Sequence, residues 1–220
     1  MSDQCATEKA RPICTLKPIN LHNLDEFSEL LRQRTICGWN KEPSKIEQWR
    51  DEMDNKTKSL FWVVPTQLAE APSPHRYVGH IALCSTVHPE NLELANPDKS
   101  VFTFDTLFIL KEHRGGGFGR AAIQALEACA KEEPYGSPNC KAMTVKTISR
   151  KYREDDECRE IYMRLASRRG MGPPERGTSQ EDWYARMGYV KWKEEPGYWT
   201  TLVDGSKILL DEVSMRKRLE

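Results

Sequence analysis

Apolar positions recur first at helical spacing and then at strand spacing along the chain. Residues 1–12 are polar and read as a flexible leader, whereas Ile13 to Ile19 suits a short strand. Asn23 stands three residues before Glu26, a helix-start pattern, and Leu24, Phe27, Leu30 and Leu31 follow at helical spacing. Ser44 and Glu47, just after Pro43, mark a second start, with Ile46, Trp49 and Met53 on one face. From Ser59 the period shortens. The runs Ser59–Pro65 and Arg76–Ser85 are aromatic and β-branched, and a third run spans Val101 to Leu110. Strict alternation in that third run puts Asp105, Leu107 and Ile109 on one face and Phe104, Phe108 and Leu110 on the other. Short connections make the three an antiparallel meander.

A glycine-rich loop then leads into Phe118, Ala122, Leu126 and Cys129, one face of a helix that Pro134 stops. Residues 140–149 read as a strand, so the strand–helix–strand unit places it parallel to the strand before the loop. Residues 150–177 differ in kind. Between Arg150 and Arg169 lie seven Arg or Lys and five Asp or Glu, with Cys158, Ile161, Tyr162 and Leu165 at helical spacing, followed by a Gly/Pro cluster. This stretch reads as a polar insertion, either lid-like or packed on the body, with one amphipathic helix. Thr178 and Glu181 open another helix, closed by Gly188, and three strands finish the chain: 189–195, 198–203 and 206–215. Asp204-Gly205 marks a hairpin between the last two.

A length of 220 residues suits one domain over 13–220, large enough to bury a core without disulfides. Lys plus Arg, 33, equals Asp plus Glu, 33, which argues against nucleic acid or an anionic membrane as partner. No apolar run approaches the ~18 residues of a membrane span, and the acidic start lacks a secretory signal. Seven widely spaced cysteines without a C-x-x-C pair suggest reduced thiols and a cytoplasmic protein. His80, Cys84 and His88 are spaced for a helix but fall on a strand, so no metal is expected.

Gly115, Gly116, Gly117 and Gly119 between a strand and a helix exceed what a tight turn needs. Glycine lets the backbone approach a ligand, and unpaired amides at a helix start favour phosphate oxygens. Arg114 and Arg120 flank the loop with positive charge. Gly117, Gly119 and Ala122 formally fit a dinucleotide fingerprint, but that fold opens on its glycine loop, and here several strands precede it. No G-K-[ST] follows either.

The stretch from Leu107 to Ala122 resembles the acetyl-CoA motif of the GNAT superfamily of N-acetyltransferases, with Leu107 and Ile109 as the strand end and Arg114, Gly117 and Gly119 as the loop. Residues 183–192, with Tyr184 before Gly188-Tyr189, resemble the family's later helix-to-strand segment. The resemblance implies an α/β (α+β) fold with a mixed, mostly antiparallel twisted sheet flanked by helices. It implies an enzyme that moves acetyl from acetyl-CoA directly to an amine, as a monomer or homodimer. The cofactor contacts it implies are Ile109, Arg114, Gly115, Gly116, Gly117, Phe118, Gly119 and Arg120. Tyr184 would protonate the leaving sulfur, and a backbone amide at Ile109 or its neighbour would receive the developing oxyanion. Asp105 is the candidate base, with His80 as the alternative; Asp211 and Glu212 are candidate contacts for the substrate ammonium. Balanced charge favours a small amine or amino-acid derivative over a protein N-terminus or lysine. A non-catalytic acyl-CoA-binding module is the rival. Lys111 stands where the family often has Pro, and Gly177 where it often has Asn.

Overall fold

A computed structural model describes residues 12–70, 76–165 and 179–219. The expected leader lies outside them, except for Pro12, as does the Gly/Pro cluster after Leu165. The elements run β1 (Cys14–Pro18), α1 (Leu24–Cys37), α2 (Pro43–Asp54), β2 (Lys58–Pro65), β3 (Gly79–Cys84), β4 (Val101–Ile109), α3 (Phe118–Cys129), β5 (Ala142–Ile148), α4 (Lys151–Glu154), α5 (Asp156–Met163), α6 (Gln180–Ala185), β6 (Val190–Thr201) and β7 (Lys207–Arg218). One seven-stranded sheet has the order β1-β2-β3-β4-β5-β7-β6. β4 and β5 are parallel and the other neighbours antiparallel, which is the mixed, mostly antiparallel sheet with flanking helices that the resemblance implied.

Alternation along β2 explains why its sequence is apolar throughout. Phe61 and Val63 face α3 with Phe102, Phe104, Met143 and Leu126, while Leu60, Trp62 and Val64 face α1 and α2 with Leu30, Ile46 and Trp49. A strand covered on both sides loses the apolar/polar alternation of a half-exposed one. A third cluster joins Tyr152, Tyr162 and Leu165 of the polar insertion to Leu202 and Leu210 at the end of the β6–β7 hairpin.

The caps fall close to where the polar residues predict. Asn23 accepts from the amides of Asp25 and Glu26, and Gly188 is left-handed at φ 91°. α2 starts one residue early, because Pro43 itself is its first residue, and α6 is capped by Ser179 rather than Thr178. The insertion holds two short helices instead of one, broken at Asp155, whose side chain caps α5 through the Cys158 amide. Residues 189–195 and 198–203 fuse into β6, whose register shifts at Gly197 while Pro196 lies on the outer strand of the sheet, where a missing N–H is tolerated. The face of α1 is also rotated. Leu24 is 81% exposed, and Glu29, Leu30, Gln33 and Arg34 are the buried positions.

Burial makes this fold prefer its thiols protonated. Cys14 is pushed up to about 11 by burial, and Cys84 to about 12 by burial together with nearby Asp105. An unfolded thiol ionises near ~8.5, so the stability tied to these groups is complete below that pH and drains as pH rises toward the folded values. The melting temperature is therefore expected to fall steadily between about pH 9 and 11. A flat profile across that range in a calorimetric pH series would contradict the thiol burial.

Candidate active site

β4 pairs with β5 over Val101–Thr103 against Ala142–Thr144, and past that point the two parallel strands part. From Phe104 to Ile109 one edge of β4 thus has no strand partner among the described residues and faces a gap. The other edge carries a bulge. Pairing with β3 passes from Ala82↔Asp105 to His80↔Phe108, so β4 holds one extra residue, and Thr106 there has φ 53°. The Thr106 hydroxyl is buried without a hydrogen-bond partner among the described residues.

That extra residue exchanges the faces of β4. Phe102 and Phe104 before it, and Leu107 and Ile109 after it, all pack toward α3. The expected grouping of Asp105 with Leu107 and Ile109 is therefore wrong. Asp105 lies with Phe108 on the opposite side, toward α1 and α2, because strict alternation fails at Thr106.

The loop after β4 makes one 3₁₀ turn, Lys111–His113, and is then folded back by Arg114, whose Nε donates to the Ile109 carbonyl at 2.8 Å while its guanidinium lies 5.5 Å from the Phe108 ring centre. Gly115 and Gly117 both have left-handed backbone, at φ 83° and 80°, which a side chain would oppose. The first helical bond of α3 comes from Ala121 to Gly117. As a result the amides of Gly115, Gly116, Gly117, Phe118, Gly119 and Arg120 donate to no acceptor among the described residues. Consecutive free N–H groups at the positive end of a twelve-residue helix make a cradle whose chemistry suits an anion, and Arg114 and Arg120 are exposed beside it. A Cβ on Gly119 would lie 3.3 Å from the Trp183 ring and 4.0 Å from Ile109, so loop, strand end and α6 converge there.

Tyr184 sits at the parting of the strands. Its ring packs edge-on against Phe104, the first β4 residue past the pairing with β5, at 5.6 Å, and against Tyr189 at 6.0 Å. The residue is 6% exposed, and burial raises its phenol above the ordinary range. It remains protonated at neutral pH.

Asp105 is half exposed and is the counter-ion of Lys58, 3.1 Å away. Lys58 is buried and also meets Glu52 at 3.5 Å and the Cys84 sulfur at 3.1 Å. Burial opposes its charge, but Asp105, Cys84 and Glu52 outweigh burial and hold the ammonium above its usual range. His80 is fully buried, with Nδ1 2.9 Å from the Gln33 Oε1 and Nε2 3.4 Å from the Arg34 Nη1. Burial first, and Arg34 second, keep it neutral. Both ring nitrogens are engaged in a core network, so His80 does not face the gap as a free base. Asp211 and Glu212 are likewise held, by Lys151 and Lys146.

Two features escaped the sequence reading. Trp39, in the loop between α1 and α2, stacks on Tyr198 of β6 at 4.7 Å and 25°, joining that loop to the hairpin across the α1 side of the sheet. Arg34 is buried beside this contact, on a helix face expected to be apolar. The clue available was His80: a histidine within an apolar strand needs polar partners from whatever packs on it.

Among the described residues no helix is long and apolar enough to cross a membrane. A search of curated protein sequences finds no match to this chain. Solved structures of similar fold include a chimera of spermidine N-acetyltransferase SpeG from Vibrio cholerae and hSSAT (13% identity, TM-score 0.58, covering 94% of this chain and 96% of that one). Arabidopsis thaliana NAA60 in complex with acetyl-CoA is similar at 14% identity and TM-score 0.57, over 94% and 98%. An aminoglycoside 6'-N-acetyltransferase complexed with coenzyme A is similar at 12% and 0.53, over 93% and 97%. The profile of the Acetyltransferase (GNAT) family matches residues 24–150, from the start of α1 through the glycine loop and β5. With a cradle of free amides after β4 and a sheet that opens beside it, the chain belongs to the GNAT family of acetyltransferases.

Proposed function

We propose that this protein transfers an acetyl group from acetyl-CoA to the primary amine of a small molecule or amino-acid derivative. The observation that carries the reading is the run of free amides from Gly115 to Arg120, which fits the diphosphate of coenzyme A. Ile109, Arg114 and Phe118 would complete that contact surface, and the open edge of β4 leads from it toward Tyr184. Acetyl-CoA supplies an acetyl group already activated as a thioester. Tyr184 holds a proton where the departing sulfur needs one, and the unpaired β4 edge offers backbone amides to the oxygen that gains negative charge. Asp105 serves here as the anchor of Lys58 rather than as a base. The amine's proton then leaves through water on the α1 side. Two of the compared proteins are named for small amines, spermidine and an aminoglycoside, which supports an acceptor of that size.

Thermal denaturation with acetyl-CoA or NAD, followed by an amine panel read through free CoA release, tests the proposal. Ligand at ~100 times its Kd adds roughly 2.7 kcal/mol of stability. Acetyl-CoA is expected to raise the melting temperature, NAD to leave it unchanged, and at least one small amine to release CoA. Stabilisation without transfer to any amine would favour the acyl-CoA-binding module. No stabilisation would remove the reading altogether.

A further inference from the structure

Buried charges in proteins are paired, because leaving one alone in the interior costs several kcal/mol. Arg34 lacks such a carboxylate. It is 3% exposed and makes no ion pair among the described residues: its guanidinium lies 5.5 Å from the Trp49 ring centre, and its hydrogen bonds go to neutral groups, Nε and Nη2 to the Trp39 carbonyl and Nη1 to His80. Asp105 is near enough to favour its charge, but a lysine already holds that carboxylate. Burial lowers its pKa, with Cys37, Asp105 and Tyr198 acting against that loss. Of five guanidinium N–H donors, three are used among the described residues, which leaves two for a further acceptor.

Position gives those donors a use. Arg34 stands in the last turn of α1, between β3 through His80, the α1–α2 loop through Trp39, and the hairpin through Tyr198. This is the side of β4 opposite the glycine-loop helix, the side left for an acceptor amine if the cofactor lies against that loop. We propose that the acceptor is an amino acid or amino-acid derivative with a free carboxylate, and that Arg34 is the group that binds that carboxylate. Resting on the acetyltransferase reading above, this narrows its substrate class. Beside Arg34 lies the Trp39–Tyr198 stack, two partly exposed rings that the acceptor would have to part. Arg34, holding the Trp39 carbonyl, ties that loop to the side chain that would read the substrate.

The test uses the full chain and matched acceptors: free L-amino acids, the corresponding amino-acid amides, and the decarboxylated amines. A site with buried donors rejects an analogue that leaves them unpaired, so the carboxylate form is expected to be preferred by roughly a hundredfold in kcat/KM. Arg34→Gln is expected to raise KM for the carboxylate acceptors and to erase that preference, with acetyl-CoA stabilisation unchanged. Arg34→Lys, which keeps the charge but loses the fork, should fall between, and it serves where the glutamine variant does not fold. Equal use of amides, decarboxylated amines and free amino acids by the wild-type protein would overturn the proposal while leaving acetyl transfer intact. Failure of every amine with acetyl-CoA bound would overturn both. A preference that persists in Arg34→Gln and Arg34→Lys would show that another group reads the carboxylate.

Discussion

Gly117→Val is expected to remove acetyl-CoA binding while leaving the sheet folded. Gly117 caps α3 with φ 80°, a conformation closed to a β-branched residue, and its Cβ would also meet Ile13 at 3.3 Å. Relief requires the peptide units on either side to rotate. Those units carry the amides that make the cradle, so the donors from Gly116 to Phe118 would no longer converge. With two or three charge-assisted bonds lost at roughly 1.5–3 kcal/mol each, acetyl-CoA affinity should drop by at least about 10²-fold. Calorimetric titration and the thermal shift should both report the loss. Gly117→Asn supplies the contrast, because asparagine tolerates left-handed backbone and should retain part of the affinity. Equal losses for valine and asparagine would mean that bulk rather than backbone geometry governs the loop, and unchanged binding in both would move the diphosphate elsewhere.

Tyr184→Phe should separate chemistry from binding. Phenylalanine keeps the ring that packs on Phe104 and Tyr189, so the core and the acetyl-CoA affinity are expected to survive. What disappears is a hydroxyl whose burial keeps it protonated at neutral pH. A lost general acid costs typically 10²–10⁴-fold in rate, and a fall of roughly 10²-fold in kcat is expected with KM for acetyl-CoA little changed. The pH profile carries a second signature. In the wild type the rate should climb as the acceptor ammonium loses its proton, since both candidate bases are engaged, Asp105 with Lys58 and His80 with Gln33 and Arg34, and Tyr184 stays protonated throughout that climb. Wild-type kcat in the variant would assign the leaving sulfur's proton to another donor.

The parts of this fold that could be read from sequence are those whose signal is local. The strands of the β2–β3–β4 meander, the helix of the β4–α3–β5 crossover, the glycine loop and the Asp204-Gly205 turn each announce themselves in a short run of neighbouring residues. Failures arose where a local rule gave way to tertiary context. Alternation along β4 misplaced Asp105 because a single inserted residue, visible only in the pairing with β3, flips everything after it. Leu24 looked like a core position, yet α1 turns Glu29, Gln33 and Arg34 inward to meet His80. The expected strands 189–195 and 198–203 left out Pro196, which the structure keeps within β6, the outermost strand, where proline is tolerated. Trp39 carried no pattern at all. Its importance lies in Tyr198, more than 150 positions later.

Three residue pairs between β4 and β5 are all the parallel ladder that joins the β1–β4 half of the sheet to the β5–β7 half. A molecule lying along the open edge therefore stands in for missing rungs, touching strands on both banks of the opening. Occupancy would knit two slabs that otherwise meet at one short seam, so acetyl-CoA bound there, as proposed, would also brace the sheet.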